Sequence, residues 1–330
     1  MNDFAGWMPI RLHWAQSGLM VDWAFMGDLR FTEPFFAQTV GESLRNPANL
    51  LFRRDTPMDM LGELNTQSPG IPPAGFIFHG SRCGSTLIAQ MLSALPENIV
   101  ISEAGPIDIV LRSHLRDPAI SEEQRILWLR WLLNAFGQRR FAGEKSFFVK
   151  FDSWHALFLP LIQRAFPSVP WIFVYREPVA LLLSHSRRVG GHMIPGVLEP
   201  TLFGWDAQTA TGMRLGEYGG RVLGRIYEAG LDQTAGGKGK LVNYEELPQI
   251  VWPDLMRYWD FDCAPQMPEA MSRVRRFHAK NPSQPFVADA DAKSRAVPDG
   301  MRQFAGQWLD GIYRQLEARR VESRNTVKDG

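Results

Sequence analysis

The sequence predicts an α/β protein of three layers: a central, mostly parallel sheet, helices over both faces, and a P-loop-like turn after the first sheet strand. Three observations predict it. From Gly75 onward short apolar runs alternate with segments of helical periodicity, the pattern of a parallel sheet covered on both sides. Within Gly75–Leu87 an apolar run passes into a turn holding Gly80 and Gly84, and then into a helix start. Charged residues recur just after the apolar runs, at the edge where open α/β sheets bind ligands.

Residues 1–74 read as an N-terminal accessory segment, and residues 75–330 as the α/β domain. The first segment is rich in aromatics, with Trp7, Trp14, Trp23, Phe35 and Phe36 among them, and carries no catalytic motif. A strand or turn pair is expected within Arg11–Phe31 and a helix from about Glu33–Pro34, since proline suits a first helical turn. The segment packs as a cap or shapes an acceptor or oligomer surface. Ser68–Pro73 contains Pro69, Gly70, Pro72 and Pro73, which reads as a linker.

The sheet strands are expected at Gly75–Phe78, Asn98–Ser102, Phe147–Phe151, Trp171–Tyr175 and Lys240–Val242. Helices are expected at Ala104–Leu115, Ser121–Phe136, Trp154–Phe166, Pro178–Arg188 and Trp205–Ala229, with a helical tail from Met301 to about Arg320. Ser121 is a good N-cap with Gln124 at the box position. Gly190-Gly191 stops the helix before it.

The turn after the first strand reads His79-Gly80-Ser81-Arg82-Cys83-Gly84-Ser85-Thr86. A helix N-terminus presents unpaired N–H groups and the positive end of its dipole, a ready anion site. Ser85 and Thr86 add hydroxyls and Arg82 a forked cation. A Walker loop needs a lysine after its second glycine; here Ser85 stands there and the spacing is one residue short. The plainer alternative is a simple strand-to-helix turn.

The other strand ends add Glu103, Lys150-Phe151-Asp152, Arg176 and Asn243-Tyr244. A carboxylate, a lysine and two arginines converging on one edge suit a nucleotide with two charged phosphate positions. Singly, each is a solvated strand end. His155 and His185 are rival bases to Glu103, though each lies on an expected helix where a satisfied histidine is commoner. The plainer role for Glu103 is a carboxylate at the start of the following helix.

The turn resembles the 5′-phosphosulfate loop of the sulfotransferases that use 3′-phosphoadenosine-5′-phosphosulfate (PAPS). Trp171–Pro178 running on to Ser184 is similar to that family's 3′-phosphate motif, with Arg176 and Ser184 at the matching positions. Ile101-Ser102-Glu103 looks like the segment holding the glutamate base of the tyrosylprotein branch, and Phe148–Asp152 like its strand-end lysine segment. Leu241–Leu247, with Tyr244, resembles a further strand end near the cofactor. The motif order is similar to the tyrosylprotein and bacterial branch, over about residues 75–250.

The resemblance implies PAPS as donor, no metal, and sulfuryl transfer to an acceptor hydroxyl. Glu103 would be the base, with Arg82 and Lys150 stabilising charge. Ser81, Arg82, Cys83, Gly84, Ser85, Thr86, Arg176, Ser184 and Tyr244 would bind the nucleotide. The family's C-terminal Arg-Lys-Gly loop is not visible, and His278–Pro282 is offered as its replacement. Two other classes stand beside this one: a P-loop kinase or phosphotransferase, and a non-catalytic protein on the same fold.

Composition narrows the partners. With 330 residues, 45% hydrophobic and a net charge of +1, nothing points to nucleic acid or an anionic membrane surface. No apolar run is long enough to span a bilayer. Two cysteines, Cys83 and Cys263, and a start without a basic signal region make a cytoplasmic location the expectation. The expected acceptor is a hydroxyl-bearing small molecule, carbohydrate or peptide, and a homo-oligomer is left open.

Overall fold

A computed structural model describes residues 4–187, 189–234, 239–261, 263–264, 266–274, 277–278, 281–285 and 299–328. The N-terminal segment forms an antiparallel sheet of β1 (Trp7–Ala15), β2 (Gly18–Phe25) and β3 (Arg54–Pro57). Three helices accompany it: α1 (Phe36–Ser43), α2 (Pro47–Leu51) and α3 (Asp59–Gln67). The first helix begins two residues past Pro34, where the Phe35 N–H donates to Gln38 Oε1 at 3.1 Å.

The central sheet is five-stranded and wholly parallel. Its strands are β4 (Pro73–His79), β5 (Asn98–Ser102), β6 (Ser146–Lys150), β7 (Trp171–Tyr175) and β8 (Gly239–Asn243). Their order is β5-β6-β4-β7-β8, so β4 lies at the centre, where the chain first winds to one side and later to the other. That switch point is the ligand crevice of open α/β sheets. Side chains alternate between two cores: Phe76, Phe78, Phe147, Val149 and Phe173 face one, and Ile77, Phe148, Ile172 and Val174 the other. Both faces are therefore dry, which is why these strands read as unbroken apolar runs.

The helices that cover the sheet follow the strands. They are α4 (Ser85–Ser93), α5 (Gly105–Arg116), α6 (Glu122–Phe136), α7 (Leu159–Ala165), α8 (Pro178–Arg187), α9 (Ala207–Gly212) and α10 (Leu215–Thr234). After β8 come α11 (Asp254–Tyr258), α12 (Glu269–Val274), α13 (Asp299–Trp308) and α14 (Asp310–Lys328). Ser121 caps α6, its Oγ accepting from the Gln124 N–H at 3.1 Å.

Two expected helices are divided. Trp154–Phe166 is a 3-10 turn over Ser153–Phe158 followed by α7, because Pro160 has no N–H and must stand in a first turn. Trp205–Ala229 is split at Met213, which is extended just after Gly212, so α9 and α10 are separate helices.

The N-terminal segment shares the core of the sheet domain. Met8, Leu12, Val21 and Trp23 are buried in one cluster with Leu111 and Leu129, and Phe36 meets Phe136 edge-on at 5.4 Å. Ser68–Pro73 lies along the end of α6 with its polar groups satisfied. The Gly70 N–H donates to Asn134 Oδ1 at 2.7 Å and the Ile71 N–H to the Gly137 carbonyl at 2.8 Å.

At the far side α14 clasps the ends of β7 and β8. Glu317 accepts from the Tyr175 hydroxyl, from Asn243 Nδ2 at 2.9 Å and from Arg320 Nη2 at 2.7 Å. Arg324 and Arg320 both pair with Glu246, just past β8.

Candidate active site

The loop after β4 is wound by left-handed residues. Ser81 (φ 66°) and Arg82 (φ 48°) join Gly84 (φ 86°) there. Non-glycine residues in that region cost about 1–3 kcal/mol each and cluster where a ligand is held. Such turns aim successive backbone N–H groups into one concavity. Gly80 is required by space: a Cβ there would collide with the Tyr227 ring. Its N–H donates to the Val174 carbonyl at 2.9 Å, tying the loop to β7.

Gly84 is the N-cap of α4 and supplies no side chain, so the helix's opening N–H groups face the loop. Ser81, Ser85 and Thr86 are buried around it. The Cys83 thiol points away, donating to the Val174 carbonyl at 2.9 Å, so only the backbone of Cys83 remains for a ligand.

The loop is also buttressed by His79, whose Nδ1 accepts the Ser81 N–H at 3.1 Å. That fixes the proton on Nε2, which donates to the Phe151 carbonyl at 3.1 Å and lies 3.4 Å from Glu103 Oε1.

Glu103 and Lys150 form an ion pair at the ends of β5 and β6. Lys150 is fully buried, and its ammonium lies 5.5 Å from the centre of the Phe35 ring, contributed by the N-terminal segment. A buried ammonium without a counter-charge is strongly unfavourable, so the pairing is what allows it. Burial by itself raises the Glu103 pKa, but the Lys150 charge and the His79 hydrogen bond hold it well below the ordinary carboxylate range.

Glu103 takes a left-handed φ of 53°, and its N–H donates to the Lys150 carbonyl at 2.8 Å. It does not cap α5. That N-cap is Ala104, with no side-chain bond, and the Glu103 carboxylate turns instead to Lys150.

Arg176 follows β7 and is buried. Tyr227 fixes its backbone, the hydroxyl accepting the Arg176 N–H at 3.1 Å and donating to its carbonyl at 2.9 Å. The guanidinium lies over the Tyr244 ring, 4.1 Å from the centroid. The same ring stands against Gly84, where a Cβ would come within 3.1 Å of Tyr244 Cδ2. Tyr244 therefore joins the loop to Arg176.

Ser184 is half-buried, two turns into α8. The N-terminus of α8 is already filled by Glu177, which accepts from the Val179 N–H at 2.9 Å and the Ala180 N–H at 2.7 Å. The α4 end has no such carboxylate cap.

The two rival histidines are both buried. His155 is 1% exposed, with Nε2 donating to Asp108 Oδ1 at 3.0 Å and Nδ1 accepting the Asp152 N–H at 3.3 Å. His185 is buried against His192, ring centres 5.9 Å apart.

His192 carries no signal in the sequence beyond its place after a helix stop. Its ring is buried 5.6 Å from that of Trp154. Burial pushes its pKa down to about 4, so the imidazole is neutral. Burial raises the pKa of Asp152 above the ordinary aspartate range, against the pull of His155 and with the help of the carboxylates Glu103 and Asp108. His79 is a further site residue that motif spacing alone does not single out; its strand-end position, one residue before Gly80, is the signal it does carry.

Within His278–Pro282, Ala279 and Lys280 lie outside the described residues, while Phe277–His278 pairs with Asn281–Pro285 as a short hairpin. Among the described residues no group of three or more His, Cys, Asp or Glu could hold a metal ion. No helix among them is long and apolar enough to cross a membrane.

No family model and no curated protein matches the chain. Solved structures do. The sulfotransferase domain of the curacin biosynthetic pathway is 15% identical, with a TM-score of 0.45, over 72% of this chain and 98% of that one. The structures it resembles are sulfotransferases. The domain from the Synechococcus PCC 7002 olefin synthase is 15% identical, with a TM-score of 0.42, over 76% and 96% of the two chains. A sulfotransferase from Alicyclobacillus acidocaldarius is 14% identical, with a TM-score of 0.44, over 76% and 96%.

Proposed function

We propose that the protein is a PAPS-dependent sulfotransferase acting on an acceptor hydroxyl. The observation that carries this reading is one sheet edge holding a left-handed loop at a helix N-terminus, a buried Arg176 joined to it by Tyr244, and a Glu103–Lys150 pair. The residues fit a nucleotide with two phosphate positions. The amides of 82–86 and the Ser85 and Thr86 hydroxyls would take the 5′ end, and Arg176 with Ser184 the 3′-phosphate. A Walker lysine is absent from the loop, which sets this reading apart from a kinase.

Sulfuryl transfer is an in-line displacement in which positioning and charge stabilisation carry most of the acceleration. Glu103 is ionised and takes the acceptor proton, while Lys150 and Arg82 neutralise charge on the transferring oxygens. The ion pair adds a refinement. While Lys150 holds Glu103, the carboxylate is a poor base, because its pKa is low. When the sulfuryl oxygens take the Lys150 N–H groups, Glu103 loses its strongest partner and its basicity rises toward that of an ordinary glutamate. The base is thus strengthened only with the donor in place. Phe35 over Lys150 supports a role for the N-terminal segment on the acceptor side.

Calorimetry with adenosine 3′,5′-bisphosphate tests the reading, with radiolabelled sulfuryl transfer from PAPS over an acceptor panel. Binding that is equal with and without EDTA is expected. Binding of ATP that requires magnesium, with none of the bisphosphate, would replace this reading with the phosphotransferase.

A further inference from the structure

We infer that Asp108 is a positioning residue that sets the geometry of Glu103 and Lys150 from behind the site. It is buried in the first turn of α5, the helix that begins directly after Glu103. Its carboxylate accepts from Trp154 Nε1 at 2.7 Å and His155 Nε2 at 3.0 Å, both on the turn that follows Lys150. Arg112 Nε donates to both of its oxygens at 2.9 Å, and Arg112 also pairs with Glu199. Trp154 in turn lies against His192. The segments leading from Glu103 and from Lys150, and the one carrying His192 and Glu199, therefore meet at one carboxylate.

The backbone shows why a clamp is needed. Glu103 sits at φ 53°, a conformation that persists only where its surroundings over-determine it. On one side the Lys150 carbonyl holds its N–H. On the other side α5 must be held against the turn after β6, and Asp108 makes that connection. Burial works against the charge of Asp108, but His155, Arg112 and Trp154 keep its pKa well below the ordinary aspartate range, so the connection is ionic across the working pH. Asp108 reaches no reacting group. It acts through Glu103 and Lys150, and this role in turnover rests on the proposed function.

The test compares Asp108→Asn and Trp154→Phe in the full chain. The asparagine keeps the shape, but its NH2 faces the Arg112 donors, and the phenylalanine removes a single donor with the ring retained. For Asp108→Asn the expected loss in kcat is roughly 10–100-fold, as for other supporting-shell residues. The bisphosphate Kd and the acceptor KM stay within about twofold, since the lost interaction is not with either ligand. Trp154→Phe loses about 3–10-fold, the size of one hydrogen bond. The decisive readout is non-additivity: Glu103→Gln should cost at least about tenfold less in the Asp108→Asn background than in the wild type.

Unchanged kcat in both variants, or the full Glu103→Gln cost in both backgrounds, overturns the inference. If the wild type binds no bisphosphate and transfers no sulfuryl group, the proposed function fails separately. Crystal structures of the two variants then decide: a broken Glu103–Lys150 pair supports the positioning role, and an unmoved pair overturns it.

Discussion

At the scale of single residues, the proposed chemistry rests on two pairs, the first being Glu103 and Lys150. Glu103→Gln is expected to cut turnover by roughly 10²–10⁴, the usual size of general-base catalysis, with bisphosphate affinity nearly intact. Loss of melting temperature with turnover per folded molecule unchanged would remove Glu103 from the base role. The second pair is Arg176 and Ser184. Arg176→Ala should weaken bisphosphate binding more than Ser184→Ala, because a bond to a charged group contributes about 1.5–3 kcal/mol against ~1 for a neutral one. Titration of the two variants ranks them, and the reverse order would mean that the 3′-phosphate sits elsewhere. Arg176 also has a structural neighbour in Tyr244, so part of its effect passes through the loop at Gly84.

At the scale of elements, the contrast between two helix ends bears on where the proposed nucleotide would bind. The α8 terminus is closed by Glu177, while α4 begins on a bare glycine. The last helix is set by charge. Burial opposes the ionised form of Glu317, but Arg320, Tyr175 and Asn243 bring its pKa from the ordinary 4.5 down to about 2. A carboxyl with a depressed folded-state pKa stabilises the fold above its unfolded value, and that contribution is lost as pH falls. The stability gap between wild type and Glu317→Gln should therefore be largest above pH 4.5 and close as the pH approaches 2. Denaturant melts at a series of pH values measure it, and a gap independent of pH would mean that α14 is held by packing alone.

At the scale of the whole molecule, the N-terminal segment is part of the sheet domain's core, and its Phe35 ring lies over Lys150. Deleting it would uncover Leu111 and Leu129, so its proposed role on the acceptor side is better tested with one side chain. Phe35→Ala is expected to raise the acceptor KM several-fold while the bisphosphate Kd changes by less than about twofold, since the ring lies over the Lys150 ammonium. Steady-state kinetics and calorimetry on the same preparation separate the two. An unchanged KM would leave Phe35 a packing residue.

Much of this architecture was legible in the chain itself. The five sheet strands are short apolar runs because both faces of the sheet are dry, and period and composition report that directly. The Gly80–Thr86 loop and the charges at 103, 150 and 176 were legible because sheet topology sends every strand's carboxyl end to one edge. Tertiary structure alone decided the partners. That Lys150 pairs with Glu103, that Tyr244 joins Gly84 to Arg176, and that Asp108 gathers Trp154, His155 and Arg112 depend on side chains many residues apart. It also decided that Glu103 turns from its own helix to a neighbouring strand, and that Phe35 reaches the site from the N-terminal segment. Local sequence fixes backbone period and turn chemistry, whereas ion pairs and ring contacts form only once packing has brought distant segments together.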